Sequence, residues 1–225
     1  MAKKPRVIHT CTECGYSSPK WLGRCPECGS WGTLQEEAPV ASGPVKTSSL
    51  TPSAPASPIT KVEAAATKTV KSGIRELDRV LGSGVVPGSV VLMAGEPGVG
   101  KSTLLLEVAS RWAKQGRKAL YVTAEESAGQ VRARAERTEA LVDTLYLAAE
   151  SNLDVVFGHV EQLKPSLLIV DSVQTMHAAG VEGVAGGVAQ SRAVTAALTT
   201  LAKTTNIPVL LVGHVTKDGN VAGPR

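Results

Sequence analysis

Val90 to Thr103 reads V-V-L-M-A-G-E-P-G-V-G-K-S-T, and no other stretch limits the fold of this chain as strongly. A short apolar run ends in Gly95, G-x-x-x-x-G-K-S follows, and a helix-compatible run begins at Leu104. Strand, glycine-rich loop and helix in that order make a phosphate-binding loop. Gly95, Gly98 and Gly100 let the backbone turn until its N–H groups converge on a polyphosphate. The new helix adds its positive N-terminal end. The loop Gly95, Glu96, Pro97, Gly98, Val99 and Gly100 is expected to wrap the phosphates. Lys101 reaches the β- and γ-phosphates in such a site, the Ser102 hydroxyl ligates Mg²⁺, and Thr103 sits beside the α-phosphate. A chance glycine-rich turn would have to reproduce the full spacing between strand and helix, so the motif predicts a nucleoside triphosphate site.

The rest of the C-terminal two-thirds builds a sheet around that loop. Ser72 to Leu81 carries Ile74, Leu77, Val80 and Leu81 at helical spacing, which predicts a short amphipathic helix ended by Gly82 and Gly84. A helix from Ser102 to about Gln115 stops at Gly116, and Lys118 to Thr123 is a strand. Ala124 to Ser127 opens the next helix, where Arg132, Arg134 and Arg137 alternate with Glu136 and Glu139. A solvated charged face is the favoured reading there, an anion-binding or subunit-contact face the other. A strand at Thr144–Ala148, a helix at about Leu153–Leu163 and the apolar run Ser166–Asp171 follow.

That last run ends in an acid, the Walker B pattern, in which a buried strand aims a carboxylate at the Mg²⁺ shell. A glycine-rich loop (176–187), a helix from about Gln190 to Thr204 and a strand from Pro208 to Gly213, then His214, complete the segment. Five apolar strands separated by helices predict a parallel α/β sheet with helices on both faces. Ligands in such sheets bind at the carboxyl ends of the strands. Lys101, Glu125, Asp171 and His214 all fall at that edge.

The N-terminal segment is a different object. Cys11-Thr-Glu-Cys14-Gly15 and Cys25-Pro-Glu-Cys28-Gly29 are two C-x-x-C-G knuckles. Two knuckles predict a closed, tetrahedral four-cysteine Zn²⁺ site on Cys11, Cys14, Cys25 and Cys28, with paired disulfides or a redox C-x-x-C as weaker readings. Residues 1–35 hold Lys3, Lys4, Arg6, Lys20 and Arg24 against Glu13 and Glu27, a net of +3, and a zinc–tetrathiolate centre would offset −2 of it. Charge alone therefore gives this module little grip on DNA. Tyr16, Trp21 and Trp31 are expected to cap the metal core of so small a unit, with base stacking as the other reading.

Residues 36–69 form the expected tether. Five of the thirteen prolines fall within 38–69, without a sustained apolar period. The expected domains are thus a zinc ribbon at 1–35, a linker at 36–69 and an ATPase domain at 70–225. The formal net charge of +4 permits nucleic-acid binding without demanding it. No apolar signal region follows the basic N-terminus and no run has the length of a membrane span, so no membrane partner and a cytoplasmic location are expected.

The motifs C-T-E-C-G-Y-S-S-P-K-W-L-G-R-C-P-E-C-G-S-W, S-G-I-R-E-L-D-R-V-L-G-S-G-V-V-P-G-S, G-E-P-G-V-G-K-S-T, Y-V-T-A-E-E-S and G-H-V-T-K-D-G resemble the RadA (Sms) family of bacterial DNA-repair ATPases, RecA-like recombination motors. The resemblance runs from about Val7 to Arg225, leaving out the linker. It implies ATP as the nucleotide and Glu125 as the carboxylate that polarises the attacking water. It also implies His214 as the γ-phosphate sensor that signals to the following loop. The loops after Ser172 and His214 would face DNA, with Lys217, and less so Arg225, as phosphate contacts.

The implied partners are single-stranded or branched DNA, a RecA-type recombinase and further copies in a homo-oligomeric ring, a hexamer in the family. The implied function is a DNA-stimulated ATPase of recombination and repair that processes or branch-migrates recombination intermediates. The alternative is a nucleotide-switched module that binds DNA or recombinase with little hydrolysis. A KaiC-like or replicative-helicase-like relative would explain the core but not the ribbon. The family continues through a Lys-Asn-Arg-Phe-Gly motif and a Lon-like domain that this sequence lacks. The ATPase domain is therefore expected to be incomplete at its C-terminus, with Val90–Ala94 near an exposed sheet edge.

Overall fold

The computed structural model describes residues 8–37, 58–61 and 68–214. The chain divides into two compact units, Met1–Thr67 and Lys68–Arg225. Most of the expected linker lies outside the described residues, as do Lys217 and Arg225.

In the first unit, β1 (Ile8–Cys11) lies between β2 (Ser17–Ser18) and β3 (Leu34–Glu37), antiparallel to both. Among its described residues the buried apolar core is only Cys11, Cys25 and Leu34, with Cys14, Tyr16 and Leu22 packed beside them. So little apolar volume cannot hold a fold without a metal or a crosslink. Tyr16 joins this core as expected. Trp21 and Trp31 do not cap it: they are 61% and 76% exposed. The four sulfurs and Leu34 already fill the centre, and the indoles are left outside.

The second unit is a five-stranded parallel sheet in the order β4 (Val90–Gly95), β8 (Val209–His214), β7 (Leu167–Asp171), β5 (Ala119–Thr123), β6 (Leu145–Ala149). All four pairings are parallel. β5 and β7 are buried along their whole length, which is why they read as unbroken apolar runs. β4 is an edge strand of this sheet, as expected, and its Leu92 is exposed.

Alternate strand residues serve opposite faces. Ala119, Tyr121, Leu167, Ile169, Leu210 and Val212 pack with α2 (Lys101–Lys114) and α3 (Ala128–Arg137). Leu120, Val122, Leu168, Val170, Val209 and Leu211 pack with α4 (Leu153–Leu163) and α5 (Val188–Thr205). This is a RecA-like α/β fold.

The first helix, α1 (Arg75–Val80), is shorter than its periodicity predicts. Gly73 has φ +87°, and a Cβ there would lie 2.7 Å from Arg111 Cβ. The chain therefore turns at Gly73 before it can coil, and Ser72 N–H instead donates to Asp78 Oδ1 at 2.8 Å. Ile74, Leu77 and Leu81 face the core, whereas Val80 is 73% exposed and is not part of that face. The next strand-to-helix turn also runs longer than expected. Ser127 is the cap of α3 rather than its first turn: its hydroxyl accepts from Gln130 N–H while the Gln130 side chain accepts from Ser127 N–H.

Candidate nucleotide site and metal centre

The loop after β4 turns through Gly98 (φ +82°) and Gly100 (φ +93°) into α2. No side-chain atom would crowd a Cβ at either position, so glycine is required by the left-handed backbone and not by space. Gly100 caps α2 without any side-chain acceptor, in contrast with Ser127 on α3 and Asn152 on α4. The first-turn N–H groups of α2 are thus left for an external acceptor, which fits an anion such as a nucleotide phosphate. Lys101 is folded over this loop, only 7% exposed, its ammonium donating to the carbonyls of Gly95 at 2.8 Å and Glu96 at 2.7 Å.

Asp171, at the end of β7, is buried. The Tyr121 hydroxyl donates to its Oδ2 at 2.6 Å and lies 3.4 Å from the Ser102 carbonyl oxygen. Tyr121 therefore ties the Walker B acid to the first turn of α2, bringing Ser102 and Asp171 to one place. Burial and the Asp171 charge push the phenol pKa far up, so Tyr121 remains a donor. Ser102 and Asp171 are oxygen donors suited to Mg²⁺, which keeps much of its water and takes few protein ligands.

Glu125, two residues beyond β5, meets the end of the adjacent β7 and, one strand further, the end of β8. Its Oε1 is hydrogen-bonded by the Ser172 hydroxyl and lies 3.0 Å from His214 Nε2. Ser172 follows Asp171 through a cis peptide bond and is fully buried. Gln174 Nε2 in turn donates to the His214 carbonyl at 3.3 Å. Lys101, Asp171, Glu125 and His214 thus stand at the carboxyl ends of β4, β7, β5 and β8, with Gly95 and His214 in register on adjacent strands.

Three residues of this site escaped the sequence reading: Tyr121, Ser172 and Gln174. Tyr121 and Ser172 sat inside or beside motifs already singled out, but nothing in the spacing says which neighbour a side chain will touch. Arg134 was misjudged. It is 13% exposed rather than solvated, paired with Glu126 at 2.8 Å across the β5–α3 turn, while Arg132 and Arg137 are exposed as expected. The turn that precedes α3 folds Glu126 back over the helix, and that covers Arg134.

In the ribbon unit, the sulfurs of Cys11, Cys14, Cys25 and Cys28 all lie within 4.8 Å of one another. Cys11 and Cys28 sulfurs are 3.7 Å apart, Cys14 and Cys25 sulfurs 3.5 Å. Tetrahedral Zn²⁺ with sulfur at ~2.3 Å needs sulfurs about 3.8 Å apart, so the cluster fits zinc. The two knuckles repeat one hydrogen-bond pattern. Gly15 N–H donates to the Cys11 carbonyl and Gly29 N–H to the Cys25 carbonyl, both at 2.9 Å, with φ +76° and +74°. Burial pushes the Cys11 thiol up, but bonding with the Thr33 hydroxyl and the backbone of Cys14 and Glu13 outweighs it and leaves a pKa of about 6. Burial pushes Cys14 up to about 12.

A four-cysteine cluster in one unit and a RecA-like phosphate-loop sheet in the other define the class, a zinc-ribbon protein with a P-loop ATPase domain. Residues 55–220 match the AAA domain model and residues 9–36 match the rubredoxin metal binding domain model. The chain belongs to the AAA domain family. It is 54% identical to the DNA repair protein RadA of Mycolicibacterium smegmatis, over 99% of this chain and 49% of that protein. It is 56% identical to that of Mycobacterium tuberculosis H37Rv (98% and 46%), and 44% identical to that of Listeria monocytogenes (100% and 50%). The likeness to RadA that the motifs carried extends over the whole chain. The chain spans about half the length of these curated relatives. Among the described residues, no helix is long and apolar enough to cross a membrane.

Proposed function

We propose that this chain is the ATP-hydrolysing part of a DNA-repair motor, with a zinc ribbon at 1–35, a linker at 36–69 and a RecA-like domain at 70–225. In the full motor, hydrolysis would be stimulated by single-stranded DNA and would drive branch migration of recombination intermediates. A hexameric ring and a RecA-type recombinase are its proposed partners, and the cytoplasm its proposed location. The observation that carries this reading is the held Glu125 carboxylate at the same sheet edge as Lys101 and Asp171.

The Gly95–Gly100 loop and the α2 N-terminus would bind the triphosphate, with Lys101 turning from the Gly95 and Glu96 carbonyls to the phosphates. Ser102 and Asp171 would hold Mg²⁺, which when bound offsets phosphate charge and orients the γ-phosphate. Tyr121 keeps Asp171 aimed. Glu125 accepts a proton from water, while Ser172 and His214 fix one of its two oxygens and leave the other for that water. His214 reports the state of the γ-phosphate to Gln174 and the loop beyond it.

The test is steady-state ATP hydrolysis with and without single-stranded DNA, for this chain and its Lys101→Ala form. Turnover that rises with DNA and disappears in the variant is expected. Nucleotide binding without turnover would instead support the nucleotide-switched binding module.

A further inference from the structure

The ribbon leaves two indoles on its surface that its fold does not use. Trp21 and Trp31 hold most of their area in solvent, yet neither is loose. Trp21 Nε1 donates to the Leu34 carbonyl at 3.1 Å, which fixes its ring against β3. Trp31 bridges to Arg24, whose guanidinium lies 5.9 Å from the ring centroid and is itself anchored by Nε donating to the Gly29 carbonyl at 2.9 Å.

Both rings converge on Gly23: a Cβ there would sit 3.7 Å from Trp21 Cη2 and 3.9 Å from Trp31 Cζ3. Two rigid aromatic side chains, set together by a glycine and flanked by the exposed cations Lys20 and Arg24, are costly to keep in water without a partner.

We propose that Trp21 and Trp31 form a stacking platform for unpaired bases of single-stranded nucleic acid, with Arg24 and Lys20 facing its phosphates. The proposal rests on the reading that the chain binds DNA, and adds where the ribbon would touch it. Base faces stack on aromatic rings with little regard to sequence, which suits a protein that must accept any strand. The flanking cations favour this polyanion over an apolar peptide. Lys20 and Arg24 are the only Lys or Arg residues among residues 8–37, and the cysteine cluster becomes anionic when metallated. The platform therefore contributes by stacking more than by charge.

Tryptophan emission gives a direct readout, because the chain's third tryptophan, Trp112, is buried in the ATPase core with its indole on Ser166. The zinc-loaded chain is titrated with oligothymidylate while emission and oligonucleotide anisotropy are followed together. Saturable quenching is expected at the concentrations where anisotropy rises. Trp31→Ala should weaken binding by about 5- to 100-fold, with Trp31→Phe recovering most of it. The ratio of wild-type to Trp31→Ala affinity should hold steady between about 50 and 200 mM salt, since no phosphate contact is removed.

Zinc content of each variant checks that the ribbon is intact, and a Lys101→Ala chain should quench as the wild type does. Oligonucleotide binding with unchanged emission and unchanged affinity in Trp31→Ala would overturn the platform while leaving the DNA reading intact. No anisotropy change at all would overturn both.

Discussion

The two units of this chain solve the same problem by opposite means. The ATPase unit buries two apolar layers, one on each face of its sheet. Among the described residues the ribbon has three buried apolar residues, two of them cysteines, too few to hold a fold without a metal or a crosslink. The tryptophans follow the same division: Trp112 is fully buried in the sheet unit, whereas Trp21 and Trp31 of the ribbon are exposed. Where burial holds a fold, large side chains are consumed by it. Where a metal holds it, they are left free for contact with something else.

The largest effect that would break this contrast lies at the metal. Cys25→Ser, or a strong chelator, should unfold β1–β3 outright, because structural zinc supplies about 10 kcal/mol or more of folding free energy in such units. The unfolding transition of Lys68–Arg225 should remain in place, as followed by circular dichroism beside zinc release. A single cooperative loss of both units would break the comparison.

Next in size is the sheet core. Trp112→Ala should destabilise the ATPase unit by about 3–5 kcal/mol in urea unfolding and leave zinc content unchanged. Smaller again is Tyr121→Phe, which strips the buried Asp171 carboxylate of a donor and should cost about 1–3 kcal/mol. The phenol's pKa is raised on folding, so the native state keeps that proton where the unfolded chain loses it. The contribution is complete below pH of about 10 and declines as pH rises beyond it. Urea midpoints between pH of about 9 and 11 should therefore fall less steeply in Tyr121→Phe than in the wild type. The smallest effect is at the surface: Ser127→Ala removes the α3 cap and should cost about 1 kcal/mol by the same assay.

Legibility in the sequence divided along physical lines. Features set by covalent spacing could be read ahead: the glycines that turn the phosphate loop, the paired knuckles, the buried strands ending in Asp171 and His214. Gly73 shows the limit, because helical periodicity in Ser72–Leu81 says nothing of a positive φ that stops the coil at its start. Features set by packing could not be read. That Ser172 reaches Glu125 and that Tyr121 bridges Ser102 and Asp171 depend on which strand lies beside which, whereas the fold of Glu126 over Arg134 depends on the turn before α3. The strand order places β7 between β8 and β5, and only then do these side chains become neighbours. The indoles were misread for the same reason, since composition counts apolar rings but does not say whether the metal cluster leaves them room.

The measurement that bears most directly on the site is paired nucleotide binding and single-turnover ATP hydrolysis in Glu125→Gln. If Glu125 is the carboxylate that receives the water's proton, the variant binds ATP and Mg²⁺ as the wild type does and hydrolyses it about 10²- to 10⁴-fold more slowly. A variant that hydrolyses ATP at the wild-type rate would contradict the assignment and return Glu125 to a structural link between Ser172 and His214.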